Sequence, residues 1–318
     1  MLTTSILLLS FIVLWGMGAI SANTESATDP NRKIIHLSEQ LLLNVRYETS
    51  TDSLETALSK IKMLDLISGL STDNARKTFW INIYNSYYQI LAVREKKTKP
   101  GIFSQKLISI AETKFSLDDI EHGILRKYRW KYSLGYLPQF FPAKIIKQLS
   151  VSKIDYRIHF ALNCGAKSCP PIAFYEYDFL DKQLETAALS FLSTETEIDS
   201  LKKEVKVTKI MQWFKADFGG KKGIKSILSK YLNKNFSEYS VQFKNYDWTQ
   251  EFKKYTSQSI THSTITCPNC GHKKIETMPI DACQFFYQCE NCKTTLRPKQ
   301  GDCCVYCSYG TIKCPSMQ

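Results

Sequence analysis

The stretch "STDNARKTFWINIYNSYYQILAVREKK" constrains the fold more than any other part of the chain. Read as one helix over about residues 73–94, it carries Phe79, Trp80, Ile81, Ile83, Tyr84, Tyr87, Ile90 and Leu91 around nearly its whole circumference. A helix that is apolar on all sides has to be buried, so the remaining elements must wrap around it. Leu37–Val45 and Leu54–Leu66 show the three- and four-residue apolar spacing of amphipathic helices that would supply such cover. At 318 residues with 43% apolar content, the chain can hold a domain built in this way and a small second unit.

Asn82, Asn85, Ser86 and Gln89 interrupt the apolar surface and share one stripe. A buried polar group without a partner costs roughly 1–3 kcal/mol. The stripe must therefore face a polar site or tie down the backbone of a neighbouring loop, and both readings stand. Further along, "FSLDDIEHGILRKY" carries a helix-start signature: Ser116 caps, Asp119 reciprocates, and Asp118 meets the positive helix end. His122 and Arg126 share a face with Asp118. Glu121 lines up instead with Leu117, Ile124 and Leu125, where a raised pKa or a fixed hydrogen bond is expected. Pairing with a lysine is the plainer alternative.

Residues 157–163, "RIHFALN", alternate and predict a strand with Ile158, Phe160 and Leu162 on the core side and His159 and Asn163 on the other. The chain then turns through "CGAKSCPP", where Gly165 permits a tight turn and Pro170–Pro171 block continuation. Cys164 and Cys169 thus sit on a rigid loop, and three readings compete. They form a disulfide; or one is a nucleophile, with His159 or His122 as base and Glu121 or Asn163 orienting it; or they join histidines around a metal. The compartment bears on the choice. An apolar run from Ile6 to Trp15, followed by small residues, fits a secretory signal peptide cleaved near Ala22, although its start lacks Lys or Arg. An uncleaved membrane anchor is the alternative. Either places the body outside the cytoplasm, where a disulfide is permitted. Downstream, helices are expected over 179–192, 210–218 and 224–232, with a short strand at "EVKVTK" and Trp213, Phe214 and Trp248 in the core.

"FWINIYN", "SLDDIEHGILR" and "IHFALNCGAKSCPP", in this order, together with "NYDWT" at 245–249, closely resemble the family known as domain of unknown function 547, over about residues 33–251. The resemblance implies little about activity. The family has no settled one and has been suspected of cysteine-peptidase-like chemistry. Carried over by motif, the candidate residues are Asn82, Asn85, Glu121, His122, His159, Asn163, Cys164 and Cys169.

After a polar, aperiodic stretch at 252–264 that reads as a linker, residues 265–318 hold nine of the eleven cysteines. Cys267, Cys270, Cys289 and Cys292 form C-x2-C-x18-C-x2-C, the spacing of a zinc ribbon. So small a unit needs such a staple. Cys304 and Cys307 make a third C-x2-C. With Cys314 and one of Cys283, Cys303 or His272, they would hold a second thiophilic ion, or else act as a redox pair. The "GDCCVYCSYGT" signature resembles short bacterial cysteine-rich proteins associated by neighbourhood with heavy-metal transport, which implies metal binding and no more. Zinc knuckles are uncommon outside the cytoplasm, so the two ends of the chain pull against each other.

The expectation is an α+β protein: a signal peptide at 1–22, a helix-rich domain around a small sheet at 33–251, and a zinc-ribbon-like unit. It is exported, periplasmic or secreted. Its function is either that of a cysteine-dependent hydrolase or transferase of unidentified substrate bearing a Zn2+ module, or that of a non-enzymatic metal-binding or interaction protein with a Cys164–Cys169 disulfide. Net charge is +12 but is spread in short lysine pairs, so nucleic acid is not an expected partner. Membrane contact is expected only through an uncleaved N-terminal segment.

Overall fold

The structure, a computed structural model, describes residues 30–256, 260–280 and 282–317. The expected signal peptide lies outside the described residues. From the amino end come α1 (Pro30–Arg46), α2 (Asp52–Ser59), α3 (Met63–Gly69) and α4 (Asp73–Gln89), which runs on into a π-helical turn at Ile90–Arg94. Thr72 starts α4 by accepting the Ala75 N–H at 3.1 Å. Every residue of α4 from Lys77 to Gln89 is buried, as its all-round apolar pattern requires. α1 and α3 supply the cover. Ile35, Leu41, Leu66 and Leu70 pack with Phe79, Trp80, Ile83 and Tyr84 in the first core.

A short helix, α5 (Gly101–Ser104), leads to the hairpin of β1 (Ile108–Ile110) and β2 (Thr113–Phe115), whose Phe115 ring meets Trp80 at 5.2 Å. The predicted helix start follows. Asp119 N–H donates to Ser116 Oγ at 3.0 Å, and Ser116 N–H to Asp119 Oδ2 at 2.9 Å. The segment beyond, Asp119–Leu125, is π-helical. After α6 (Lys144–Leu149) the chain departs from expectation. Tyr156–Phe160 is a 3-10 helix, not a strand. Asp155 initiates it by accepting the Arg157 N–H at 3.1 Å. The alternation misled because His159 and Asn163 are as buried as Ile158 and Phe160; their polar atoms have partners inside the core rather than in water.

α7 (Leu180–Glu195) is followed by β3 (Glu197–Asp199), β4 (Glu204–Val207), α8 (Ile210–Trp213), α9 (Gly220–Leu232) and β5 (Ser240–Phe243). β4 lies between β3, antiparallel, and β5, parallel, with α9 in the crossover. Phe160, Leu192, Val205, Met211, Phe218 and Leu228 fill a second core beneath this sheet. The helix expected over 210–218 stops at Trp213, and the chain turns at Phe214 to carry Asp217 inward.

The cysteine-rich end is two small hairpins, β6 (His262–Thr266) with β7 (Lys273–Thr277) and β8 (Tyr287–Gln288) with β9 (Thr295–Leu296), followed by α10 (Val305–Tyr309). Its apolar residues Ile265, Val305 and Tyr306 form one cluster with Leu42 and Leu43 of α1 and with Ile172 and Phe174. Within the stretch read as a linker, Tyr255 bridges to Ile172, and Ile260 is buried. Among the described residues no helix is long and apolar enough to cross a membrane.

Candidate functional site

The polar stripe on α4 meets main chain. Asn82 donates to Tyr175 O at 2.7 Å and accepts the Tyr175 N–H at 3.4 Å. Asn85 donates to Ala161 O at 2.9 Å and accepts the Asn163 N–H at 3.0 Å. Gln89 accepts the Lys253 N–H at 3.2 Å, and Ser86 bonds back to Asn82 O. Of the two readings of this stripe, the tether is the one built. Asn85 ties down the chain entering the cysteine loop, and Asn82 the chain beyond it. Asn163 does likewise. It donates to Pro170 O at 2.7 Å and accepts the Gly165 N–H at 2.8 Å, which closes the loop.

That loop holds Cys164 and Cys169 as a disulfide, with Cα atoms 6.2 Å apart. While the bond stands, neither sulfur is a nucleophile or a metal ligand. Gly165 has φ +67°, and a Cβ there would lie 2.5 Å from the Tyr88 ring, so both conformation and space demand glycine. The hydroxyl of Tyr246 reaches both sulfurs, at 3.3 Å from Cys164 and 3.0 Å from Cys169. Its ring packs on Trp213 and Trp248 at 4.7 and 4.6 Å. Asp247 O accepts the Ser168 N–H and Thr249 O the Lys167 N–H, so the segment containing "NYDWT" forms a wall of the loop. Trp248 is exposed rather than core.

Neither candidate histidine bonds to sulfur. Both belong to a buried chain of charge centred on Arg126 and Asp217, whose side chains are 0% and 1% exposed. Arg126 Nε donates to Asp217 Oδ2 at 2.5 Å, and His159 Nε2 lies 2.9 Å from the same oxygen. Arg126 Nη1 donates to His122 Nδ1 at 2.9 Å. A guanidinium only donates, so His122 accepts through Nδ1 and its Nε2–H points toward Asp118 Oδ1, 3.6 Å away. Burial holds both imidazoles below their usual range, His122 well below it, while the bonds from His159 and Arg126 hold the Asp217 carboxyl down against its burial. Phe214 caps the network, stacked on His159 at 4.0 Å and under the Arg126 guanidinium at 4.4 Å.

Glu121 stands beside this chain, with Oε1 4.0 Å from His122 and Oε2 accepting from Tyr84 at 3.2 Å. Burial pushes its carboxyl up to about 7 against the pull of Arg126. Sequence reasoning missed Asp217, Tyr246 and Tyr84. Asp217 has a signal in hindsight, a lone acid between Phe214 and Phe218, whereas Tyr84 reads only as core.

The cysteine-rich end brings eight thiols into two sets: Cys267, Cys270, Cys289 and Cys292; and Cys303, Cys304, Cys307 and Cys314. Cys303 completes the second set, rather than Cys283 or His272. Within each, all four sulfurs lie within 4.8 Å of one another. Sulfur pairs stand 3.7 Å apart in the first set and 3.4–3.7 Å in the second, too far for disulfides. Four thiolates about 2.3 Å from a tetrahedral ion have S···S edges of about 3.8 Å, so both sets fit such an ion. Hydrogen bonds from Thr294 and Asn269 hold the Cys292 thiol down to about 5, ready to ligate.

The fold and these sites define an α+β protein with a disulfide-closed loop over a buried ionic network and two tetrathiol centres. Residues 67–192 match the family model described as "Protein of unknown function, DUF547". The match runs from α3 into α7 and stops before Asp217, Tyr246 and the thiol sets. No curated protein and no solved structure matches the chain.

Proposed function

We propose that the protein is an exported, non-enzymatic metal-binding protein that carries two tetrathiolate ions, Zn2+ being the favoured one, on an α+β support. One observation carries this reading: eight cysteines fall into two groups whose spacing suits tetrahedral sulfur coordination. All-thiolate tetrahedral sites select zinc or iron among common metals, and zinc needs no redox partner. Cys267, Cys270, Cys289 and Cys292 hold one ion; Cys303, Cys304, Cys307 and Cys314 hold the other. Export rests on the apolar run at Ile6–Trp15 and on the Cys164–Cys169 bond, which persists in oxidising surroundings. Native mass spectrometry of protein purified without chelator tests it. Two ions per chain are expected, falling to one in Cys289→Ser/Cys292→Ser. A chain with no ion, whose eight tail thiols are all alkylated at once, ends the proposal.

The cysteine-dependent hydrolase or transferase is the second reading, and two contacts at one sulfur favour it. The Cys169 sulfur receives both the Cys164 N–H at 3.0 Å and the Tyr246 hydroxyl, so a reduced loop would hold a stabilised thiolate there. Glu121, with a carboxyl near 7, would exchange the proton. Reduced protein should then show Cys169 alkylated far faster than Cys164 at pH 6. Equal, slow labelling removes this reading.

A further inference from the structure

Between the buried network and α6 the chain does something a stable surface avoids. Trp130, Tyr132, Leu134, Tyr136, Leu137, Phe140 and Phe141 all stand exposed, Phe140 at 80% and Phe141 at 98%. Scattered apolar residues on a surface need no explanation, but seven within twelve positions do. Nor is the segment loose. Arg129 bridges to Pro138, Trp130 N–H donates to Leu137 O at 2.9 Å, and Gln139 N–H donates to Tyr128 O at 2.7 Å. Ser133 Oγ donates to Trp130 O and accepts the Leu137 N–H. The base is pinned to the body, where Leu134 O accepts the Ala216 N–H at 3.0 Å and Gly135, at φ +85°, packs where any Cβ would overlap Asp217. The body therefore holds these rings outward.

Along the chain here the charge has one sign. From residue 122 to 154 there is no Asp or Glu, while Arg126, Lys127, Arg129, Lys131, Lys144, Lys147 and Lys153 are all present. Arg126 is neutralised inside by Asp217, and Lys131 pairs with Asp118. Lys144 and Lys147, which follow the aromatic tip closely in the chain, are exposed; Lys153 is exposed too, but its backbone N–H donates to the Asp73 carboxylate. Trp, Tyr and Phe that project beyond a rim of lysines have the composition of an interfacial membrane anchor: rings enter the headgroup and upper acyl region while ammonium groups meet anionic lipid. A protein partner would need a pocket for each ring, whereas a bilayer accepts them without one.

We infer that the 130–141 hairpin, with Lys144 and Lys147, is a docking surface for an anionic lipid bilayer. The full chain is tested by hydroxyl-radical footprinting read by mass spectrometry, which resolves this segment from any contribution of the N-terminal apolar run. With vesicles of phosphatidylcholine mixed with phosphatidylglycerol, oxidation of Trp130, Tyr132, Phe140 and Phe141 should fall at least about fivefold, and with phosphatidylcholine alone much less. Lys144→Glu/Lys147→Glu should raise the lipid concentration for half-protection on the order of tenfold. Phe140→Ser/Phe141→Ser, at positions too exposed to matter for folding, should abolish protection of Trp130 while the thermal midpoint stays unchanged. The inference is overturned if the ring residues are oxidised equally with and without anionic vesicles. Equal protection by soluble polyglutamate overturns it too, since that would mark an acidic partner rather than a bilayer.

Discussion

Replacing Asp217 by Asn removes one charge from the centre of the buried network and changes almost nothing in shape. The carboxylate accepts from Arg126 Nε at 2.5 Å, from Arg126 Nη2 at 3.3 Å and from His159 Nε2 at 2.9 Å, all but closed to water. Asn offers one acceptor and turns an NH2 toward a guanidinium that has nowhere to go. Breaking one side of a buried ion pair costs about 3–5 kcal/mol, because the surviving charge is stranded. At about 2–4 °C per kcal/mol for a domain of this size, the midpoint should fall by roughly 6–20 °C. The companion Arg126→Met/Asp217→Leu removes both charges and should recover at least half of the loss, since an apolar pair of similar volume is often no worse than the ions. Urea unfolding followed by tryptophan fluorescence measures both. The reasoning fails if D217N costs under about 1 kcal/mol, or if the double variant is as unstable as the two singles summed. The wild-type pair also predicts an acid limb. Asp217 titrates below its unfolded value, so its contribution is complete above the ordinary carboxyl range and is lost as pH falls through its folded pKa.

Three further outcomes are expected. Glu121 has the opposite sign: with its folded carboxyl near 7, its contribution is full below about 4.3 and is lost as pH rises through 7, so Glu121→Gln should flatten that decline and unfold later than the native chain at pH 8. Asn85→Ala strands the Ala161 carbonyl and the Asn163 N–H, and denaturant unfolding should show a loss of about 2–4 kcal/mol, whereas a cost near zero would mean water replaces the tether. If the two thiol sets carry ions as proposed, a chelator should raise hydrogen exchange around Leu42 and Leu43 of α1 as well as in the tail, and a change confined to residues beyond 260 would show that the shared cluster contributes nothing.

The sequence revealed best what depends on pattern over a long window. The burial of α4, the Ser116–Asp119 start, the helix of 180–195 and the first tetrathiol set were all legible, because periodicity, capping chemistry and ligand spacing are local. Glu121 was legible for a related reason: a carboxylate placed among Leu117, Ile124 and Leu125 has no water to keep its pKa low. Residues 157–163 were misread because alternation assumes that a polar side chain faces solvent. Here His159 looks inward to Asp217, a partner 58 positions away. The same long-range pairing hid Tyr246 behind the sulfurs and supplied, for the two asparagines of α4, the backbone partners that were one of the two open readings. Spacing left Cys303, Cys283 and His272 all open as the fourth member of the second set, and only the turn before α10 places the Cys303 sulfur with those of Cys304, Cys307 and Cys314.

The apolar cluster that joins Leu42, Leu43, Ile172 and Phe174 to Ile265, Val305 and Tyr306 makes one wall serve two rooms. A chain shortened after Thr256 would lose more than its sulfur centres: it would bare a greasy strip along the first helix, the same helix that shields α4. Such a fragment should stick to itself at concentrations where the whole molecule stays dispersed.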